Sequence, residues 1–193
     1  MSSTETATPA IADLTGDYQI DPAHTRLGFV ARHAMVTKVR GTFREVEGSI
    51  HLDAQDPTRS SAQVKVNVAS ITTDQDQRDA HLRGEDFFDV AKFPELTFTS
   101  TSAEKVDDET YKLTGDLTIK GVTKPVTVDF EYTGAAVDPF QNQRIGFEGK
   151  TVVNRKDWGV SWNAALEAGG VLVGEKVTLE FEVSAIRTGD ASS

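Results

Sequence analysis

The chain contains no cysteine among its 193 residues. That removes disulfide frameworks, thiolate metal sites and cysteine nucleophiles together. Basic charge is also scarce: 20 Lys and Arg stand against 30 Asp and Glu, a formal charge of -10. Such an excess of negative charge repels phosphate backbones and anionic bilayers, so nucleic acid is not an expected partner. Long hydrophobic runs are missing, none approaching the roughly 18 apolar residues of a spanning helix. Stable membrane insertion is therefore not expected, and any contact with lipid falls to a surface or a pocket. The opening stretch MSSTETATPAIADLTG has no Lys or Arg before Arg26 and no apolar run of secretory-signal length. It reads as a disordered leader over residues 1–15 of a cytoplasmic protein, with a flexible tail over 188–193 and a single domain over 16–187.

Signatures of catalysis are equally sparse. The four histidines, at 24, 33, 51 and 81, form no HxH, HExxH or HxxxH pair, so a metal site has no support and no cofactor is expected. No serine sits in a GxSxG elbow. The glycines of AGGVLVGEK lack the Lys-Ser/Thr of a phosphate loop. His51, between Ile50 and Leu52 on an alternating run, points to solvent. His24 lies at a turn. His33 falls in phase with Leu27, Phe29 and Ala31 and is expected to face the interior, either as a hydrogen-bonded core residue or as a ligand contact.

What the sequence does hold is period-2 alternation. In TYKLTGDLTIKG, Tyr111, Leu113, Gly115, Leu117 and Ile119 share one face and Lys112, Thr114, Asp116 and Thr118 the other. The same pattern places Val177, Leu179, Phe181 and Val183 inward, then Val126, Val128, Phe130 and Tyr132, then Ala62, Val64, Val66 and Val68. Turn-forming clusters at DPAH, DAQDPTRS, EKVDDET, KGVTKP and AVDPFQNQ separate these runs. They delimit about eight strands. The expectation is all-β: an eight-stranded antiparallel up-and-down barrel, whose closure removes exposed edges. A two-sheet sandwich fits the same pattern.

One segment breaks the alternation. TTDQDQRDAHLRGEDFF predicts a short helix over about 74–84, with Thr73 or Asp74 as the cap, capping-box spacing from Asp74 to Gln77, and Gly84 as the stop. Asp74 with Arg78, and Asp79 with Arg83, have the spacing of stabilising i,i+4 pairs. Arg78 and His81 share a face beside Leu82. They can anchor the helix to a barrel rim or bind the polar end of a ligand at the mouth.

Five segments, YQIDPAHTRLGFVARH, MVTKVRGTF, RDAHLRGEDFFDVAKFPELTFTS, GDLTIKGVTKPV and VVNRKDWGVSW, resemble the signature stretches of the YceI-like family of polyisoprenoid-binding, lipocalin-like proteins. The resemblance runs from about Gly16 to Ile186. Arg78, Asp79, His81, Leu82, Phe87 and Phe88 match the helix motif. His24 and His33 match the early hairpin, and Arg155, Asp157 and Trp158 the late NRKDWG stretch. Thr25 stands where many relatives have serine, which keeps the hydroxyl.

The resemblance implies a lipocalin-like barrel with an elongated apolar cavity for a long isoprenoid or other lipid, polyprenyl or quinone-like, held by a carrier, storage or sequestering protein that is not an enzyme. The lining it suggests begins with Leu27, Phe29, His33 and Phe43 of the first hairpin. Arg78, His81, Phe87 and Phe88 follow from the helix region, Phe98, Leu113, Leu117, Phe130 and Phe147 from the middle strands, and Trp158 and Trp162 from the late motif. Two other readings stay open: a stress-related interaction module with a filled barrel, and an enzyme using His33 or His81 on a lipid head group. A homodimer is compatible with all three.

Overall fold

A computed structural model describes residues 14–34, 36–163 and 173–190. In chain order the strands are β1 (Gly16–Ile20), β2 (Arg26–His33), β3 (Thr37–Phe43), β4 (Val46–Leu52), β5 (Ser61–Asn67) and β6 (Ile71–Thr72). Helix α1 (Asp76–Arg83) follows, and then β7 (Glu95–Lys105), β8 (Thr110–Ile119), β9 (Val122–Val137), β10 (Gln143–Asn154) and β11 (Val173–Asp190).

These segments occupy eight positions of one closed antiparallel barrel, lipocalin-like in form. β1 and β2 share a position, because they pair with successive halves of β11: Gly16–Ile20 lies opposite Asp190–Ala185, and Arg26–His33 opposite Glu182–Val173. What splits them is the 3-10 turn Pro22–His24, capped by the Asp21 carboxylate, which accepts the Ala23 N–H at 3.0 Å. Proline at the start of that turn has no N–H to give to a ladder. β3 and β4 likewise form one bent position. The rest follow as a meander, β5, β7, β8, β9, β10, β11, and β1 closes the ring by pairing with both β4 and β11. The two-sheet sandwich is thereby set aside. At the β8–β9 hairpin, Lys120 and Gly121 both have positive φ, 52° and 75°, the two-residue geometry that matches strand twist.

β3 departs from the ring near its end, where only Thr42 and Phe43 find a partner in β6. Helix α1 and the chain through Pro94 cover this flared end. The helix falls inside the expected 74–84, but its fastening differs from expectation. Gln75, not Thr73 or Asp74, is the cap, its side-chain oxygen accepting the Arg78 N–H at 3.0 Å. Neither expected i,i+4 pair forms. Asp79 is 4% exposed and accepts from the Thr73 N–H at 2.8 Å and from the Thr73 hydroxyl. Arg78 donates to the Thr73 hydroxyl and carbonyl, and Arg83 to the carbonyls of Ala69 and Ile71. Charge-assisted bonds to the segment Ala69–Thr73 that leads into the helix outweigh a solvent-exposed pair worth roughly 0.2–0.5 kcal/mol. The charges of this segment therefore tie the helix to the turn and short β6 that precede it.

The core divides into two ends and a middle. Around α1, Phe87, Leu117, Ile119, Val126, Val128, Trp158 and Val160 form one buried cluster. At the opposite end Leu14, Tyr18, Leu52, Ile145 and Ala185 form a second, and Leu27, Val46 and Val66 a third between them. Each buried side chain of this size contributes about 1.5–3 kcal/mol of transfer free energy. The expected leader lies mostly outside the described residues, but its last two residues belong to the fold. Leu14 is buried, and the Thr15 hydroxyl accepts the Ala54 N–H at 3.0 Å. β11 also runs into the expected tail, with Gly189 opposite Asp17; residues 191–193 lie outside the described residues.

Candidate functional site: the barrel cavity

Because side chains alternate along each strand, one face of every barrel position points to the same interior. The inward residues leave a cavity of about 180 Å³ there. Its wall is apolar over most of its length. β5 gives Val64 and Val66, β8 gives Leu113, Leu117 and Ile119, β9 gives Val126, Val128 and Phe130, and β11 gives Leu179, Phe181 and Val183. Among the described residues, polar groups enter only at one end, where Ser60, Ser61, Tyr111 and Lys112 lie near the β4–β5 and β7–β8 turns.

Inward glycines do not widen this space. A Cβ on Gly115 would stand 2.5 Å from the Phe98 ring, and one on Gly149 2.8 Å from the Phe130 ring. Each ring closes over a glycine of the neighbouring strand. The mixture of small and large inward residues thus interdigitates beside the cavity.

Of the lining residues suggested by sequence, Leu27, Phe43, Phe98, Leu113, Leu117, Phe130 and Phe147 do line the cavity. Phe29 stands aside, its ring over Gly41 and 5.9 Å from Phe43. Phe87, Phe88, Trp158 and Trp162 belong to the cluster closing the α1 end. Phe88 meets Phe43 edge-on at 6.1 Å. The Trp158 indole N–H donates to the Leu117 carbonyl at 2.9 Å, which fastens the closure to the wall. Arg155, buried beside it, donates to the carbonyls of Val160, Val173 and Gly174. The NRKDWG motif is thus a clamp between the end of β10 and the start of β11. Burial pulls the Arg155 pKa down from its ordinary value.

The histidines take no part in the wall. His33, expected inside, is exposed at the last position of β2. There the hairpin into β3 has already left the barrel interior, so strand phase no longer implies burial. His24 and His51 each meet a carboxylate, Asp21 and Asp17, at 2.7 Å. His81 Nε2 lies 2.8 Å from the Asp86 carboxylate, and its ring packs edge-on against Phe87 and Trp162. Arg78 and His81 therefore do not converge on one ligand group. Arg78 turns to Thr73, while His81 braces the aromatic closure.

Sequence reasoning passed over Tyr111, Tyr132, Ile20, Ile50 and Leu52. Strand phase placed the two tyrosines inward but gave no reason to separate them from core. Ile20 comes from a strand too short to carry a clear alternation, while Ile50 and Leu52 flank the outward His51 on an alternating run that does not separate cavity wall from core. All but Tyr132 line the cavity, and Tyr132 packs against Phe147 with ring centroids 5.7 Å apart. Burial raises the pKa of Tyr18, Tyr111 and Tyr132 above the ordinary phenol value.

The YceI-like domain family matches this chain over residues 18–185. Protein YceI of Escherichia coli is 38% identical over 149 residues, covering 76% of this chain and 78% of that protein. Among solved structures, BcnA of Burkholderia cenocepacia superposes with a TM-score of 0.76 at 24% identity, covering 86% of this chain and 98% of that one. A polyisoprenoid binding domain from Saccharophagus degradans gives 0.68 at 15% identity, with 89% and 98% covered. At those two identities the likeness is one of fold.

Proposed function

Since this chain belongs to the YceI-like family, we propose that its barrel holds a single long-chain isoprenoid or related amphiphilic lipid, polyprenyl or quinone-like, and acts as a carrier, store or sequestering protein rather than as an enzyme. The observation that carries this reading is the cavity wall: strand after strand presents aliphatic and aromatic side chains to one interior space. Each methylene transferred from water into such a space contributes about 0.8 kcal/mol. A chain of several isoprene units binds tightly on that basis without a strong polar contact. The Saccharophagus degradans domain, described as polyisoprenoid binding, has the same fold and lends the reading its ligand class.

The free volume of about 180 Å³ is below the roughly 300–1,000 Å³ of common ligand pockets. A long chain is accommodated in this reading by rotation of wall side chains such as Phe98, Phe130 and Phe181. The same small volume favours the second reading, an interaction module whose barrel stays filled.

One experiment separates the two. The purified protein is extracted with organic solvent and the extract analysed by mass spectrometry, and the stripped protein is offered an isoprenoid quinone. The lipid reading expects a co-purified long-chain species or stoichiometric uptake. Absence of both leaves the filled barrel.

A further inference from the structure

We propose that the Tyr132 hydroxyl receives the polar end of the bound chain, and that this end is an uncharged oxygen head, an alcohol or carbonyl, rather than a phosphate. This rests on the reading of the barrel as a lipid site and adds the orientation and head-group class of the ligand.

On β9, Tyr132 continues the inward phase of Val126, Val128 and Phe130, with Phe147 directly opposite on β10. Its hydroxyl is buried and has no hydrogen-bond partner among the described residues. A buried O–H is expected to be satisfied, and an orphan calls for a partner that arrives from elsewhere. The surroundings supply none. Tyr132 packs among Leu14, Tyr18, Leu52, Ile145 and Ala185. The Tyr18 hydroxyl is already donated to the Leu14 carbonyl at 2.7 Å, and the Arg187 guanidinium donates to the Thr15 carbonyl at 2.6 Å.

Tyr132 stands behind the cavity wall, its ring packed against Phe147, which lines the cavity together with its other aromatic neighbour, Tyr111. The orphan donor thus stands just past one end of the apolar space. At the other end, by contrast, the polar atom of Trp158 is spent on Leu117, and Phe87 completes an apolar closure. The chain lies with its head toward the Leu14–Tyr18 end and its tail toward α1. The Tyr132 hydroxyl is buried among apolar side chains, surroundings that also raise the phenol pKa values and weigh far more heavily against a phosphate dianion, so the head is neutral.

The test uses the full chain and its Tyr132→Phe variant, titrated with geranylgeraniol, with the hydrocarbon of the same skeleton lacking the oxygen, and with geranylgeranyl monophosphate. Binding is followed by tryptophan fluorescence. The wild-type protein is expected to prefer the alcohol to the hydrocarbon by roughly 5- to 10-fold, the effect of one neutral hydrogen bond. Tyr132→Phe should erase that preference, leave hydrocarbon affinity within about twofold, and leave the unliganded Tm no lower than wild type. Equal wild-type affinity for alcohol and hydrocarbon overturns the head placement alone, as does a preference that survives in Tyr132→Phe. Tighter binding of the monophosphate than of the alcohol overturns the neutral head. A lower unliganded Tm for Tyr132→Phe shows the hydroxyl already bonded, to protein or to a resident water, and overturns the proposal. Failure of all three compounds to bind overturns the lipid reading of the cavity, and this proposal with it.

Discussion

Filling the cavity from within should separate binding from stability. Val128 is 3% exposed, lines the cavity midway along β9, and faces Leu113 across the ladder. Val128→Phe adds four side-chain carbons to a space of about 180 Å³. If a lipid chain occupies that space, those carbons displace a similar length of it. At about 0.8 kcal/mol per methylene, binding weakens by about 3 kcal/mol, or roughly 200-fold in Kd. In a solid core the same substitution would cost about 1–3 kcal/mol of stability through overpacking. With a void to receive the ring, Tm should hold or rise. Thermal denaturation of the unliganded protein and titration with geranylgeraniol measure the two effects on one sample. A Tm that holds together with unchanged affinity would refute the reasoning, because the ring would then fill space that no ligand uses. A Tm that falls steeply would show that the interior has no usable void.

Two further outcomes follow from the geometry. Asp79→Ala strands the buried Thr73 N–H and hydroxyl, and should cost about 2–3 kcal/mol in urea denaturation while Asp79→Asn recovers part of it; a loss below about 0.5 kcal/mol would mean that the tie between the helix and the Thr73 link carries no weight. Hydrogen bonds from the Asn142 N–H and from Arg144 hold the Asp138 carboxyl at about 2, against an ordinary 3.8, and Arg144 and His24 lower Asp21 in the same way. Carboxyls lowered by folding add stability above their ordinary pKa and lose it as pH falls through the folded value, so Tm should drop between about pH 4 and pH 2, and Asp138→Asn should blunt the drop while lowering Tm at neutral pH.

Strand phase was the dependable signal. Val64, Val66, Val126, Val128, Leu179, Phe181 and Val183 all sit where their alternation puts them, because a half-buried strand exposes one face to water and hides the other. The signal failed at strand ends, as at His33, where the hairpin leaves the interior and parity loses its meaning. Charge spacing misled as well. Asp74, Arg78, Asp79 and Arg83 have the i,i+4 spacing of solvent pairs, yet three of them bond to Thr73, Ala69 and Ile71 in the segment before the helix. Spacing describes an isolated helix, and only docking reveals what lies beneath it.

The sequence alone determined the class of the fold and the inward face of its long strands, since both depend on local alternation and on turns a few residues long. It also brought out the helix segment and its aromatic followers. Tertiary structure decided the rest: that β1 and β2 share one barrel position against β11, that rings lie over Gly115 and Gly149 instead of leaving them open, and that His81 braces Phe87 and Trp162. It also left the Tyr132 hydroxyl buried without a partner among the described residues. Each of these depends on residues distant in the chain meeting at a definite angle and distance, which alternation along a single strand does not encode.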